Sequence, residues 1–383
     1  MAVGLVALAL AAAAPAARAD DPDRWLMTGA SSVPVTYWQG LTSDPSKERI
    51  FFVGVFEGLW QTTPRLRQTA GVDSAIPPEV KATEGYNHIG DPTWDPGEGG
   101  RVLLPLECYS PDLGNTCGTG SFGVADPSTL GFRYYVKLDP AEIPKAMWAE
   151  ASPDGRLVWT SSGADLLAYR SSDISPANAA PAAAPIRAVR RLPGAVPPSG
   201  VTGAVFRRGR LFLAGESAAG HQIWSVDTDT GQRRLELELT LCGESEGLDV
   251  ISTLGGRLHW LIAPFDQGCE LSFGPTGALL HLVRRPGRER LRVKVVAVAG
   301  PLSSLTAAVR VTRLGRPVPG ARVRFAGWRG RTAENGVARV SARLALPGRF
   351  AALARKGRRY GLSPLVAVGD APVLARAARG GAG

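Results

Sequence analysis

The fold is decided by a short stretch that recurs five times, and its clearest copy reads Asp154-Gly155-Arg156-Leu157-Val158-Trp159. Asp-Gly and Gly-Gly pairs between apolar runs indicate tight hairpin turns, because the type I′ turn needs positive φ angles. The repeat is marked by Arg49, Arg101, Arg156, Arg210 and Arg257, which lie 52, 55, 54 and 47 residues apart. We expect these arginines to mark the turns rather than to carry function.

Each copy extends into a unit of about four strands. Aromatic residues mark an upstream strand in the first four units, at Trp38, Trp94, Trp148 and Phe206. Third strands follow at 58–61, 122–125, 166–169 and 222–226, and fourth strands at 132–138, 186–192 and 234–239. Four antiparallel strands per ~50 residues are typical of a propeller blade. The sequence therefore predicts an all-β protein with a five-bladed β-propeller over residues 20–285.

Two places leave the blade count open. Residues 71–87 leave room for a sixth blade, and the last unit lacks an obvious fourth strand. Residues 25–28 can supply that strand by pairing the first and last blades, which closes the ring. No amphipathic pattern exceeds about ten residues, and this disfavours a parallel α/β fold.

The chain begins with a predicted export signal. Residues 1–19 are apolar and alanine-rich and end in Ala17-Arg18-Ala19, a small-residue cleavage site, although no Lys or Arg precedes the apolar run. No later segment approaches ~18 apolar residues, so we expect no transmembrane segment. The predicted location is secreted, extracellular or at the cell envelope.

Cysteine usage agrees with export. The four cysteines form two local pairs, Cys108 with Cys117 and Cys242 with Cys269. An oxidising compartment would join each pair, although the sequence allows three connectivities and four free thiols are the alternative. A zinc site is disfavoured, because no C-x-x-C motif or histidine partner lies nearby.

Charge is segregated along the chain. Residues 281–383 hold 22 Lys and Arg against three acidic residues, whereas the preceding residues hold 22 basic and 31 acidic residues. The basic segment predicts attraction to polyanions. We expect no nucleic acid as partner, because no basic-aromatic platform or groove-reading helix accompanies the charge.

The C-terminal residues form a second pattern of strands. The run from Arg316 to Phe325 reads R-P-V-P-G-A-R-V-R-F, and Pro347-Gly348-Arg349-Phe350 follows after the hairpin signal Asn335-Gly336. These residues resemble bacterial immunoglobulin-like repeats. The resemblance implies an Ig-like β-sandwich over 288–369, used as a spacer or adhesion module, and leaves 370–383 as a flexible tail.

Two glycine motifs match catalytic or cofactor patterns only formally. Residues 118–123 match G-x-G-x-x-G, but dinucleotide binding needs a following helix and strands are expected here. Residues 243–247 match G-x-S-x-G around Ser245, but a strand again follows and two carboxylates flank the serine. His221, His259 and His281 lie on strand patterns and are interpreted as packed or surface residues.

The strongest candidate site lies at two polar clusters predicted to open innermost strands, where propellers gather ligands. They contain Glu84-Gly85 and Glu246-Gly247, and the proposed oxygen ligands for calcium are Glu84, Asn87, Asp91, Glu246 and Asp249. His88, Glu84 and Glu246 are the candidate catalytic residues. The openings resemble those of exported phytase-like and gluconolactonase-like propellers. The alternative is that these groups only make hydrogen bonds between blades and cap strand ends.

Two functions follow from these observations. The first is a binding or adhesion protein, expected to be a monomer, whose partner is a cell-envelope polymer, a glycan or a protein. The second is a calcium-dependent hydrolase that acts on an ester, lactone or phosphate in the channel. The lack of a persuasive catalytic triad favours binding over catalysis.

Overall fold

The computed structural model describes residues 25–55, 57–110, 112–218, 220–264 and 276–369. The predicted signal peptide, the predicted tail 370–383 and Cys269 lie outside these residues, so the Cys242–Cys269 pairing does too. The described residues form strands throughout, with one short α-helix and a few 3-10 turns. The all-β prediction is confirmed.

The propeller strands follow the repeat closely. The first strand is β1 (Trp25–Val33), and the first sheet contains β2 (Gly40–Ser43), β3 (Ile50–Val53), β4 (Leu59–Thr62) and β5 (Gln68–Val72). After α1 (Pro78–Glu84), the second sheet contains β6 (His88–Ile89), β7 (Thr93–Asp95), β8 (Arg101–Glu107), β11 (Ser121–Ala125) and β12 (Phe132–Lys137), with the hairpin β9 (Tyr109–Ser110) and β10 (Gly114–Asn115) beside it. The third sheet contains β13 (Glu150–Ala151), β14 (Leu157–Ser162), β15 (Asp165–Arg170) and β16 (Arg190–Leu192). The fourth contains β17 (Gly203–Arg207), β18 (Arg210–Ser217), β19 (Gly220–Val226) and β20 (Arg233–Leu239). The fifth contains β21 (Glu244–Asp249), β22 (Leu258–Ala263) and β23 (Gly277–Arg284).

The ring closes through the two ends of this region. β1 pairs antiparallel with β23, with Trp25 opposite Arg284, and so supplies the fourth strand of the fifth sheet. The innermost strands β2, β7, β13, β17 and β21 each contact the next in this order, and β21 contacts β2. The β-propeller is confirmed. Residues 71–87 hold the end of β5 and α1, not a further sheet.

Apolar side chains fill the spaces between neighbouring sheets. Trp148, just before β13, and Trp159 of the third sheet pack with Leu211 and Leu213 of the fourth, and all four are buried. Each large apolar side chain removed from water contributes about 1.5–3 kcal/mol. Because the repeat places an aromatic or branched residue at matching positions of each unit, the sheets stack face to face around the ring.

The C-terminal residues form two further sheets. One has the order β24 (Arg288–Glu289), β33 (Arg359–Leu362), β32 (Ala352–Lys356), β28 (Arg322–Phe325) and β29 (Trp328–Arg331). The other joins β25 (Arg292–Ala299), β26 (Leu305–Arg313) and β27 (Arg316–Pro317), with β30 (Val337–Ala342) also paired to β26. The short 3-10 turns are Val35–Tyr37, Gly97–Gly99, Ser171–Asp173, Pro176–Asn178 and Leu302–Ser304. The two sheets share a core that contains Val309, Val323, Phe325 and Val340. The Ig-like assignment and its boundary at 288 stay predictions.

The C-terminal segment is joined to the propeller by strand pairing. β31 (Gly348–Phe350) pairs with β1 and with β34 (Val366–Val368), so the fifth propeller sheet continues into the C-terminal residues. Arg65, from the turn between β4 and β5, lies 4.4 Å above the ring of Trp328. Both contacts fix the C-terminal sheets against the face of the propeller where the innermost strands end.

A disulfide bond joins Cys108 and Cys117, as predicted, with their Cα atoms 5.0 Å apart. It closes the loop that carries β9 and β10. Within the described residues, no helix has the length and apolar character needed to cross a membrane.

Candidate functional site

The innermost strands approach one another closely at the propeller axis, because glycine lies there on several of them. A Cβ atom added to Gly247 on β21 would lie 2.5 Å from Asp91 Oδ1 and 2.6 Å from the backbone nitrogen of Leu41. A Cβ atom added to Gly203 on β17 would lie 2.5 Å from the carbonyl oxygen of Glu246. Backbone therefore approaches backbone closely between these strands at this level.

Asp91 fills the axis at this level. Its Oδ1 accepts a hydrogen bond from the backbone N–H of Leu41 at 2.9 Å, and its Oδ2 accepts one from Ala204 at 3.0 Å. Complete burial raises the pKa of Asp91 well above its ordinary value, and the backbone N–H groups of Leu41, Ala204 and Leu248 oppose that rise. The carboxyl group thus ties together strands β2, β17 and β21. This is the contact between blades that the sequence offered as the alternative to a metal ligand.

A second polar layer follows toward the ends of the innermost strands. Glu150 accepts hydrogen bonds from the backbone N–H of Phe206 at 2.7 Å and from Thr93 Oγ1 at 2.8 Å. Thr93 Oγ1 in turn accepts the N–H of Ala151. Burial raises the pKa of Glu150 to about 8. Sequence reasoning missed Glu150, although a carboxylate directly after the repeat aromatic Trp148 and Ala149 is a readable signal.

Asp249 belongs to this same end of the axis. Its Oδ2 accepts a hydrogen bond from Ser43 Oγ at 2.5 Å, and Lys47 Nζ lies 3.8 Å from Oδ1. The neighbours of this carboxylate are therefore a hydroxyl and an ammonium group.

Glu246 lies at the opposite end, where the innermost strands begin. Its Oε2 accepts a hydrogen bond from Gln39 Nε2 at 3.3 Å, whereas its buried Oε1 has no hydrogen-bond partner. Burial raises the pKa of Glu246 well above its ordinary value, and the negative charges of Glu244, Asp91, Glu216 and Glu107 add to the rise. These carboxylates make an acidic mouth at the start of the channel.

The remaining predicted ligands lie elsewhere. Glu84 does not open an innermost strand, because it is the last residue of α1, and it pairs with Lys137 at 2.7 Å and with the Tyr135 hydroxyl at 2.8 Å. Asn87 is exposed, and its side chain binds the backbone of Tyr109. His88 Nδ1 lies 3.7 Å from Glu107.

The five predicted calcium ligands are thus spread over both ends of the axis and the outer part of the second sheet. Among the described residues, no group of three or more His, Cys, Asp or Glu side chains is placed to hold a metal ion. Calcium binding and the catalytic roles of His88, Glu84 and Glu246 stay predictions.

The two glycine motifs have the local structure that the sequence indicated. Residues 118–120 lead directly into strand β11, and Ser245 lies inside strand β21. Ser245 Oγ accepts hydrogen bonds from Thr202 Oγ1 at 2.8 Å and from Trp260 Nε1 at 3.1 Å. It is buried within the strand, so it has neither the turn nor the access of a nucleophile elbow.

A cavity of about 830 Å³ lies where the propeller meets the C-terminal sheets, and ten arginines line it; we call it the arginine cleft. The propeller supplies Arg207, Arg208, Arg257, Arg284 and Arg285. The C-terminal sheet supplies Arg322, Arg324, Arg329, Arg331 and Arg355. None of the described residues that line this cleft is acidic. The sequence shows the excess of positive charge but not this convergence of arginines.

Strand register explains the arrangement on the C-terminal side. Arg322 faces Arg331 and Arg324 faces Arg329 across β28 and β29, and Arg322 also faces Arg355 on β32. Like charges directly opposite on neighbouring strands are destabilising. Burial, followed by the charges of Arg329 and Arg257, lowers the pKa of Arg324. The protein therefore maintains a concentrated positive field at a cost in stability.

On the propeller side, an aromatic residue orders the arginines. The guanidinium of Arg207 lies 4.8 Å from the ring centre of Trp25, and that of Arg284 lies 5.8 Å away. Glu236, behind the cleft, accepts a hydrogen bond from Trp25 Nε1 and pairs with Arg284, both at 3.4 Å. Stacking on Trp25 keeps these two guanidinium groups at the wall of the cleft.

Comparison with known proteins gives matches among solved structures. No family model matches the chain, and no curated protein matches it. The structure is similar to that of a luciferin-regenerating enzyme, with 12% sequence identity and a TM-score of 0.37 over 83% of this chain and 96% of that chain. At this TM-score, the likeness carries no argument about function.

Proposed function

We propose that this chain is an exported binding protein that holds an anionic polymer in the arginine cleft. The observation that carries the proposal is the convergence of ten arginines from two parts of the fold on one cavity with no acidic residue in its lining. Arginine presents a planar set of N–H donors that suits phosphate, sulfate and carboxylate groups. A polymer of such groups would neutralise the like-charged pairs on β28, β29 and β32 together.

The carboxylates at the centre of the propeller do not form a comparable binding site, and this supports the proposal. There, Asp91 and Glu150 are engaged by backbone N–H groups of the innermost strands. An enzyme site in the channel would need free, converging groups, whereas these groups hold the blades together. Binding in the arginine cleft is therefore favoured over hydrolysis in the channel.

One observation favours the second candidate, a metal-dependent hydrolase. Glu246 is buried at the acidic mouth with one carboxylate oxygen unpartnered. A cation bound there would satisfy that oxygen and offset the charges of Glu107, Glu216 and Glu244. Calcium addition tests this candidate.

Binding of dextran sulfate to the full chain, measured by fluorescence anisotropy with neutral dextran as the reference polymer, tests the proposal. We expect dextran sulfate to bind, neutral dextran not to bind, and the affinity to fall as salt is raised. The variant Arg322→Gln, Arg324→Gln, Arg329→Gln, Arg331→Gln should lose at least tenfold in affinity.

A matched variant distinguishes binding in the arginine cleft from attraction to the overall positive charge of the protein. Arg292, Arg310, Arg316 and Arg339 are exposed on the other C-terminal sheet, and changing them to Gln removes the same charge. We expect this variant to lose less than threefold in affinity. Equal losses in the two variants, or no binding of dextran sulfate by the unchanged protein, would contradict the proposal.

A further inference from the structure

Two histidines form a buried pair beside the arginine cleft. His259 on β22 and His281 on β23 have their Nδ1 atoms 2.9 Å apart, and neither side chain reaches solvent. His281 Nε2 lies 2.9 Å from Ser31 Oγ on β1, and His259 Nε2 lies 2.9 Å from the carbonyl oxygen of Ile251. All four ring nitrogens are therefore engaged.

Only one arrangement of protons satisfies the three contacts. The Ile251 carbonyl can only accept, so His259 Nε2 donates to it and His259 Nδ1 accepts from His281 Nδ1. Ser31 then donates its hydroxyl proton to His281 Nε2. While His281 keeps its proton on Nδ1, a further proton on His259 Nδ1 would place two N–H groups opposite each other, with their nitrogen atoms 2.9 Å apart. A further proton on His281 would bury a positive charge that no carboxylate of the described residues contacts.

The pair lies under the strand that joins the C-terminal sheets to the propeller. The Phe350 ring on β31 stacks on His281 with ring centres 5.8 Å apart and planes at 7°. Gly29 pairs with Phe350, and the Ala351 N–H donates to the carbonyl oxygen of Thr28 at 2.9 Å. Arginines on or next to the strands around the pair line the arginine cleft. Arg257 is two residues before His259, Arg284 is three after His281, and Arg355 is on the strand that follows Phe350.

Charged residues lie near the pair, but burial is the main cause that opposes its protonation. Asp249 on β21 lies opposite His259 in the strand register, but its carboxylate is engaged by Ser43 and Lys47. Arg257 precedes β22, and Arg349 on β31 lies opposite Ala30. Residues 28–31 of β1 bring no charged side chain. Burial lowers the pKa of His259 to about 4 and that of His281 well below its ordinary value.

We propose that this histidine pair makes the arginine cleft acid-sensitive: neutral, it holds β31 and the two walls of the cleft together, and protonated, it releases them and the bound anion. The inference rests on the function proposed above, since it concerns the regulation of that site. Both pKa values are depressed in the closed state, so the stabilisation is complete above pH ~6.5 and is lost as pH falls toward 4. For two histidines, the equilibrium for opening rises about 250-fold between pH 6.5 and pH 5.

Dextran sulfate suits the test, because its sulfate groups stay ionised in this range. Its affinity for the full chain is measured at pH 7.5 and pH 5.0 at constant ionic strength. We expect the affinity to fall at least tenfold at pH 5.0. The variant His259→Gln, His281→Gln should bind equally at both pH values. The control His221→Gln removes another buried histidine, bonded to the Gly243 carbonyl oxygen, and should keep the wild-type pH dependence.

Hydrogen exchange of the unchanged protein keeps the inference testable if the double variant does not fold. After correction for intrinsic rates, the amides of 348–351 should lose protection between pH 7.5 and pH 5.0. Unchanged affinity and unchanged protection at pH 5.0 would overturn the inference and leave the binding function intact. If dextran sulfate binds at neither pH, the binding function fails, and the exchange experiment still decides whether the junction opens in acid.

Discussion

The repeat arginines show how one position in a repeat acquires different roles. Arg101 is buried and pairs with Asp95 at 2.7 Å, and it donates a hydrogen bond to the carbonyl oxygen of Ser171. Arg49 pairs with Asp44 at 3.1 Å at a partly exposed turn. Arg257, at the same place in the last unit, lines the arginine cleft. We expected the repeat arginines only to mark turns, and the structure places one of them in the proposed site.

Asp91 gives a residue-scale prediction. Asp91→Asn keeps the size of the side chain but turns an N–H₂ group toward one of the backbone donors of Leu41 and Ala204. The buried donor left without an acceptor should lower the free energy of unfolding by about 1–3 kcal/mol. Urea denaturation measures the change. Asp73→Asn alters an exposed carboxylate and should stay within ~0.5 kcal/mol. A loss no larger than that of the control would show that Asp91 does not hold the blades.

At the scale of elements, strands β28 and β29 combine a packed inner face with a like-charged outer face. Val323 and Phe325 are buried in the core, whereas Arg322 and Arg324 face arginines of the neighbouring strand. Core packing therefore stabilises the hairpin that charge repulsion destabilises. Such conflict between stability and local charge is expected at functional sites.

The variant Arg324→Gln, Arg331→Gln separates the two effects. It removes one charge from each of the two opposed pairs between β28 and β29 and leaves the pair of Arg322 with Arg355. Without ligand, it should be more stable than the unchanged protein by about 0.5–1 kcal/mol at low salt, and the gain should shrink at high salt. Thermal unfolding at two salt concentrations measures this gain, and anisotropy should show weaker binding of dextran sulfate by the same variant. A variant that is less stable at low salt would indicate that these arginines serve packing.

Local signals explain what the sequence could predict at this scale. Turn residues and apolar runs of the repeat depend on near neighbours, so the hairpins and innermost strand β21 were found. Pro78 at the start of α1 and Gly85 at its end, with φ of 81°, are helix signals that were read instead as a strand opening. The Glu-Gly pair was ambiguous, because it ends a helix at Glu84 and lies in a strand at Glu246.

The arginine cleft could not be found in the same way. Arg207, Arg257, Arg284, Arg324 and Arg355 come from separate stretches of the chain and meet only through the docking of the C-terminal sheets on the propeller. The excess of basic residues in the C-terminal part of the sequence predicted attraction to polyanions. The position of the cleft depends on strand register and on the pairing of β1 with β31.

At the scale of the whole molecule, charge is separated along the propeller axis. The acidic mouth with Glu246 lies where the innermost strands begin, and the arginine cleft lies where they end, beside the C-terminal sheets. A cation and a polyanion would therefore bind at opposite ends of the same ring without competing for side chains.

Calcium addition tests the acidic mouth. If a cation completes the environment of Glu246 Oε1, 5 mM calcium chloride should raise the melting temperature by a few degrees, and magnesium or sodium chloride at equal ionic strength should not. Glu246→Gln should abolish the rise, whereas Asp249→Asn, at the other end of the axis, should keep it. An unchanged melting temperature would exclude the calcium-dependent hydrolase and leave the binding function unaffected.

The position of β1 has a consequence for how the chain reaches this structure. β1 is the first described strand, yet its two edges are taken by β23 and by β31, about 250 and 320 residues later in the chain. Contacts of such sequence separation form slowly, because a long loop must close before they contribute. The ring thus cannot be completed until residues 277–284 have been made. The proposed export is compatible with this order of events, because a chain whose ring is still open can cross a membrane unfolded and assemble on the far side.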